Sequence, residues 1–279
     1  MAEGNHHREG ADKGSAPDWC KRLPLQCGGM EYVIRRAAHR PGLRGDWDEA
    51  AWKYADIAPV TAFHPRSSIH RPETHAKILY DDEGLYVSFK VQDRFVRCTR
   101  TEHQSITSKD SCVELYLQPK ADKGYLNFEM NCGGAVLLFY VTDPTRCARG
   151  IFRGKEVVPS TLLQKLKIHH SLPKTLPVEI REPVEWTVEY FVPNAIFEHY
   201  VGALESPQQR RWRGNFFKCA DESSHPHWAS WNPIGDDLNF HDPAYFAPIR
   251  FDAAVPHAET RARMRAVTTP RGLRHGPCP

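Results

Sequence analysis

The chain lacks most of the signatures that mark specialised protein classes. None of its apolar runs approaches the roughly 20 residues that cross a bilayer as a helix, so no membrane partner is expected. Neither charge sign dominates: 37 Lys and Arg against 34 Asp and Glu give a net charge of +3. The basic excess sits in residues 257–279, where five Arg face Glu259 alone. A duplex-binding surface should cluster Lys and Arg on one folded face, so no nucleic-acid partner is expected. The eight cysteines include no CXXC pair, and the HEXXH, GXSXG and glycine-rich phosphate-loop patterns are missing. No internal repeat is visible. Residues 1–29 hold no apolar segment of the secretory kind. These absences predict a cytoplasmic protein with reduced thiols, its start at Met1 or Met30 left open.

What is present reads as β. In KILYDDEGLYVSFKVQD two apolar runs flank an Asp-Asp-Glu-Gly turn, a hairpin signal. In SCVELYLQP, Val113, Leu115 and Leu117 share one face, with Cys112, Glu114 and Tyr116 on the other. YLNFEMNCGGAVLLFYV is a second hairpin, turning at Gly133-Gly134, with Phe128, Met130 and Cys132 opposing Asn127, Glu129 and Asn131. EWTVEYFVP groups Trp186, Val188, Tyr190 and Val192. Strands are also expected at RWRGNFFKCAD and Pro248–Phe251, and MEYVIRRA, with alternating apolar Tyr32 and Ile34, reads as the start of a protein. Helix signals are few: residues 46–55 and 193–200. Many short strands and few helices predict an all-β protein, an antiparallel β-sandwich of immunoglobulin or jelly-roll type with few short helices. The expected organisation is a disordered extension (1–29), one sandwich domain (30–256) and a disordered basic tail (257–279).

Several constellations carry chemistry on paper. Asp110 and Glu114, four residues apart on a strand, have backbones about 13 Å apart, beyond the roughly 5–9.5 Å of glycosidase carboxyl pairs. Glu114 and Glu129 come closer only if their strands pair. His225, His227 and His241 are a candidate metal set for a hydrolase. The unusual segment is HPHWASWNP, where Trp228 and Trp231 lie three apart among Pro, Ser and Asn. Such a loop at a sandwich edge can stack indole rings on the C–H face of a sugar, while carboxylates and amides bind its hydroxyls. Tyr86, Glu114, Tyr116, Asn127, Glu129 and Asn131 would point the same way if their strands are neighbours. The competing reading is that both tryptophans plug the end of the core.

In order, GDWDEAAWKYA, KILYDDEGLYVSFKVQD, KDSCVELYLQP, YLNFEMNCGG, NFFKCADESSHPHWASWNPIG and NFHDPAYFAPIRF resemble the family 9 carbohydrate-binding modules, and in particular the single-domain bacterial proteins called carbohydrate-binding family 9-like. The resemblance spans Met30 to Phe251. It implies a sandwich related to DOMON domains and sugar binding without catalysis, with a mono- or oligosaccharide as ligand. In xylanase-attached members two tryptophans sandwich a terminal sugar and calcium supports the fold. The DSVE-like strand matches Asp110–Glu114 and so implies a sugar-contacting Glu114. Where the family often carries a basic residue, this chain has Glu129, and the stretch before Asp110, His103–Ser108, holds no aromatic. The expected site is therefore Trp228 and Trp231, with Trp231 preferred because Asn232 follows it, together with Glu114, Glu129, Asn131, Asn127 and Tyr116. No cofactor is required by the residues. By resemblance calcium is possible, with Asp81, Asp82 and Asp93 as candidates, although no compact calcium loop is present. The alternatives are a hydrolase, metal-dependent or glycosidase, and an interaction domain without a ligand. A haem site would need a histidine partner for Met130.

Overall fold

Residues 29–148 and 150–252 are described by a computed structural model, and the expected disordered ends fall outside this range except for Gly29. Sixteen strands follow one another along the described chain. The first six are β1 (Tyr32–Arg36), β2 (Ile57–Pro59), β3 (Ala62–Phe63), β4 (Glu73–Tyr80), β5 (Gly84–Asp93) and β6 (Val96–Cys98). Then come β7 (Cys112–Gln118), β8 (Tyr125–Asn131), β9 (Val136–Arg146), β10 (Phe152–Val157), β11 (Lys167–His170) and β12 (Leu176–Ile180). The last four are β13 (Val184–Pro193), β14 (Arg211–Cys219), β15 (Trp228–Ser230) and β16 (Ala247–Asp252). Helix α1 (Ser160–Leu163) is one turn and α2 (Asn194–Val201) two.

The main sheet runs β10-β9-β8-β7-β14-β16-β1-β4-β5-β13-β11 and folds over on itself, so that its two halves face each other. Phe128 of β8 stacks on Tyr190 of β13 at 6.2 Å, and Phe89 of β5 meets Phe216 of β14 edge-on at 6.2 Å. The expected inward set Trp186, Val188, Tyr190 and Val192 is fully buried in this core. The expected hairpins are present. Asp81 closes the first by accepting from the Glu83 and Gly84 N–H groups at 2.8 and 3.1 Å. Gly134 closes the second at φ 84°, a backbone region that glycine enters without cost.

Two elements differ from the sequence reading. Pairing is antiparallel except at β1, which lies parallel to both β16 and β4. Parallel neighbours need long crossovers, and β1 has them, since some forty residues separate it from β4 and β16 ends the fold. The helix expected at 46–55 is a single 3₁₀ turn, Ala50–Tyr54. Glu49 makes no cap there; its carboxylate instead accepts from the Gly42 N–H.

Candidate functional site

Strand alternation leaves β7, β8 and β14 with a second, outward face. Pairing of β7 with β8 sets Glu114 directly opposite Glu129 and Tyr116 opposite Asn127. On the other side of β7, β14 sets Phe217 against Glu114 and Cys219 against Cys112. A small apolar cluster covers part of this face: Tyr116, Tyr125, Val141, Phe152, Phe217 and Phe246. The chain between β15 and β16 folds over it, and Phe240 stacks on Phe217 at 4.2 Å. Beside that cover a cleft of about 650 Å³ stays open above Glu114, Glu129, Tyr116 and Cys219.

The floor is a connected polar network. Glu129 Oε1 accepts from Asn127 Nδ2 at 2.6 Å and from the Tyr116 hydroxyl at 3.0 Å. His241 sits 3.2 Å from Tyr116 Oη through Nε2 and 3.0 Å from Tyr125 Oη through Nδ1. One tautomer satisfies all of these: Tyr125 donates to Nδ1, Nε2–H donates to Tyr116, and Tyr116 donates to Glu129. Burial, then the charges of Arg146 and Lys155, hold His241 down at about 3, so it is neutral. Glu114 Oε1 accepts from Cys219 Sγ at 3.1 Å, while its Oε2 is buried without a hydrogen bond. Burial and the neighbouring Glu129 charge push Glu114 well above the usual carboxylate range. Burial pushes Glu129 up to about 7 against the pull of its Asn127 and Tyr116 bonds. Two carboxyls this close in a dry floor do not both carry a full charge at neutral pH.

The walls come from β15, the end of β9 and the loops that follow β14 and β15. Trp228 is half-buried at the rim, its Nε1 donating to Asp221 Oδ1 at 2.7 Å. Asp221 Oδ2 accepts from Ser108 at 2.9 Å. Opposite stand Asn239, Phe240 and Leu238, the last held at φ 53°, an unusual backbone for a leucine. Arg146, at the end of β9, lies over the Phe152 ring at 4.3 Å and closes the third side.

Of the residues expected from sequence, Glu114, Glu129, Tyr116 and Trp228 line this cleft. Asn127 stands one step back, orienting Glu129 and accepting from the Phe139 N–H at 2.7 Å. Trp231 is not a platform: it is 5% exposed and packs edge-on against Tyr32 and Phe216 in the main core. Residues 228–230 form β15 rather than a free loop, and the pleat continuing beyond it turns Trp231 inward. Asn131 does not face a ligand either. Its amide donates to Asp110 and to the Arg100 carbonyl in the segment before β7, and its oxygen accepts from the Ala135 N–H in the β8–β9 turn. Tyr86, on β5 in the other half of the sheet, packs on Phe191.

The three candidate metal histidines do not converge. His225 stacks on Phe95 at 3.7 Å, and His227 hydrogen-bonds Lys218 Nζ at 2.8 Å, whereas His241 belongs to the cleft network. The calcium candidates do not fit either. Asp82 is paired with Arg36, Asp81 with Arg40 and the hairpin turn, and Asp93 with His70, Trp186 and Lys218. Met130 is in the apolar core. One metal-competent group exists among the described residues: one ligand atom each from Cys112, Glu114 and Cys219, all within 4.8 Å of one another.

Sequence reading missed Asp221, Cys219 and Arg146, and assigned His241 to a metal set rather than to this network. Alternation along β14 offered a signal for one of them, since Phe217 and Cys219 share a face. Asp221 and His241 carry no local signal for this cleft, because their place depends on loops folding back over the sheet, and Arg146 reaches it from the end of β9, two strands from β7.

A family model described as carbohydrate-binding family 9 matches residues 47–251. No curated protein matches. Among solved structures, the chain is similar to a putative carbohydrate-binding protein from Bacteroides uniformis, with a TM-score of 0.70 and 23% identity over 80% of this chain and 100% of that one. It is also similar to a family 9 carbohydrate-binding module from Caldicellulosiruptor kristjanssonii in complex with cellotriose, with a TM-score of 0.53 and 14% identity over 82% of this chain and 97% of that one. A family 9 module of the same organism in complex with glucose aligns with a TM-score of 0.52 and 13% identity, over 81% of this chain and 98% of that one. These likenesses concern the fold, and the match of the family model over most of the chain establishes that it belongs to carbohydrate-binding family 9.

Proposed function

We propose that this protein binds a short saccharide, without transforming it, in the cleft between β7–β8–β14 and the loops that follow β14. The observation that carries the reading is the meeting of one rim indole, Trp228, with a floor of directed polar groups, Glu129, Tyr116 and Glu114, in a single cleft. The ring offers a face for the C–H side of a pyranose. The floor offers both acceptors and, through its protonated carboxyl, a donor for vicinal hydroxyls. Cellotriose and glucose, the ligands of the Caldicellulosiruptor modules, are the natural first probes.

Binding rather than hydrolysis follows from how the two carboxyls stand. A glycosidase needs them on either side of the scissile bond. Here they are cross-strand neighbours on one floor, and a ring seated in this cleft would meet both from the same side. With one stacking ring and a few hydrogen bonds, dissociation constants in the range of about micromolar to millimolar are expected. The test is intrinsic fluorescence of the full chain titrated with glucose, cellotriose and a wider sugar panel. A saturable change that disappears in Trp228→Ala supports the reading. A flat response to every sugar removes it.

A further inference from the structure

The floor of the cleft contains a second arrangement that sugar binding does not use. Cys112 and Cys219 are direct cross-strand partners on β7 and β14, and Glu114 follows Cys112 by two residues on the same face. One ligand atom from each of the three lies within 4.8 Å of the others. All three are almost wholly enclosed, at 0%, 1% and 1% exposure. Both cysteines are free. The Glu114 carboxyl adds an independent sign of a missing partner, because Oε2 is buried with no hydrogen bond while Oε1 takes only the weak donor Cys219 Sγ. An orphaned, dry carboxylate oxygen costs stability unless something occupies the position in front of it.

We propose that Cys112, Glu114 and Cys219 bind one zinc-type divalent cation at the floor of the cleft. Two sulfurs and one carboxylate oxygen suit zinc and disfavour calcium or magnesium, which take oxygen ligands alone. Binding displaces the two thiol protons and the Glu114 carboxyl proton to solvent, and the dication offsets two of the three ligand charges so formed. Glu114 and Cys219 also line the cleft, so the fourth position of the ion faces the space where the saccharide is proposed to sit.

The probe is cobalt(II), added to the full-length protein after chelator treatment and reduction by a phosphine, with no sugar present. We expect a sulfur-to-cobalt charge-transfer band that saturates at one equivalent and is bleached by zinc. It should vanish in Cys112→Ser and in Cys219→Ser and persist in Cys98→Ser. The band reports sulfur ligation, so cobalt held by other histidines does not mimic it. No band, or an unchanged band in Cys219→Ser, overturns the proposal, as does a Cys112–Cys219 disulfide found to persist under those reducing conditions. If a serine variant fails to fold, thermal melting of the unaltered chain decides: zinc should raise the melting temperature and an equal magnesium concentration should not. Because these measurements use no saccharide, their failure leaves the carbohydrate reading standing, and the reverse also holds.

Discussion

Strand β14 delivers two consecutive residues to two buried acidic sites, and the sites are opposites. Lys218 points into the sandwich and reaches Asp93 at 3.5 Å. Cys219, one residue on, points to the outer face and meets Glu114. Asp93 is fully provided for: Oδ1 takes His70 at 2.7 Å and the Arg94 N–H at 2.8 Å, and Oδ2 takes Trp186 Nε1 at 3.2 Å. Burial would push Asp93 up, but the Lys218 charge and the His70 hydrogen bond outweigh it and hold it below the usual carboxylate range. Glu114 and Glu129 have no Lys or Arg at ion-pair distance among the described residues, the pull of Arg146 on Glu129 is outweighed by burial, and both are raised. An acid whose every oxygen is partnered belongs to the architecture. A carboxyl such as Glu114, with one oxygen left without a partner at the floor of an open cleft, is poised for something from outside.

Breaking the satisfied site should have the largest effect. Lys218→Met leaves Asp93 buried without its cation and should cost roughly 3–5 kcal/mol in urea denaturation. A loss below about 1 kcal/mol would mean that His70 and Trp186 suffice. The two tryptophans give a matching contrast. Trp231→Ala empties core volume and should cost about 3–5 kcal/mol, whereas Trp228→Ala at the rim should cost about 1 kcal/mol or less while removing saccharide affinity.

Acid should act next in size. His227 and His241 are both held down at about 3, in each case by burial first, so the unfolded chain takes up their protons earlier than the folded one. Their contribution to stability is whole above about pH 6.5 and is lost as pH falls from there towards 3. At pH 5 the loss should be about 2 kcal/mol for each. Because Glu114 and Glu129, pushed up by burial, gain stability over the same fall in pH, the histidine share is read as the difference between the unaltered chain and a histidine variant in chemical denaturation at pH 7 and pH 5. His241→Asn should remove its share of the difference, and an unaltered pH dependence in that variant would sever His241 from the effect. Smallest is the effect of relieving the strained pair: Glu114→Gln should leave stability unchanged or raise it by about 1 kcal/mol while weakening ligand binding.

How far the sequence discloses this contrast depends on range. The Glu114–Glu129 opposition is nearly local, because β7 and β8 are consecutive and six residues join them. Period-two alternation therefore places Glu114, Tyr116 and Glu129 correctly on one outward face. The same rule misleads at Asn131, where the chain enters a turn and the amide is taken up by the Asp110 carboxylate and by backbone groups. It cannot rank Trp228 against Trp231, since three residues apart on a short strand means opposite faces, and only the pairing of β15 with β14 decides which one faces out. The junction of β14 with β7 joins residues about a hundred positions apart, and nothing local announces it. The Lys218–Asp93 and Cys219–Glu114 contacts, on which the contrast between the two sites rests, therefore became visible only in the fold.

The central claim is that the ligand meets Trp228 and the Glu114–Glu129 floor. The most direct measurement is the set of indole N–H signals of ¹⁵N-labelled protein, which has seven tryptophans, followed while glucose or cellotriose is added. We expect one indole signal to move progressively and to saturate, and to be the signal missing from Trp228→Ala, while the buried Trp52, Trp186, Trp212 and Trp231 stay in place. Movement of Trp231 with Trp228 unmoved, or saturable binding that shifts neither, would contradict the assignment of this cleft.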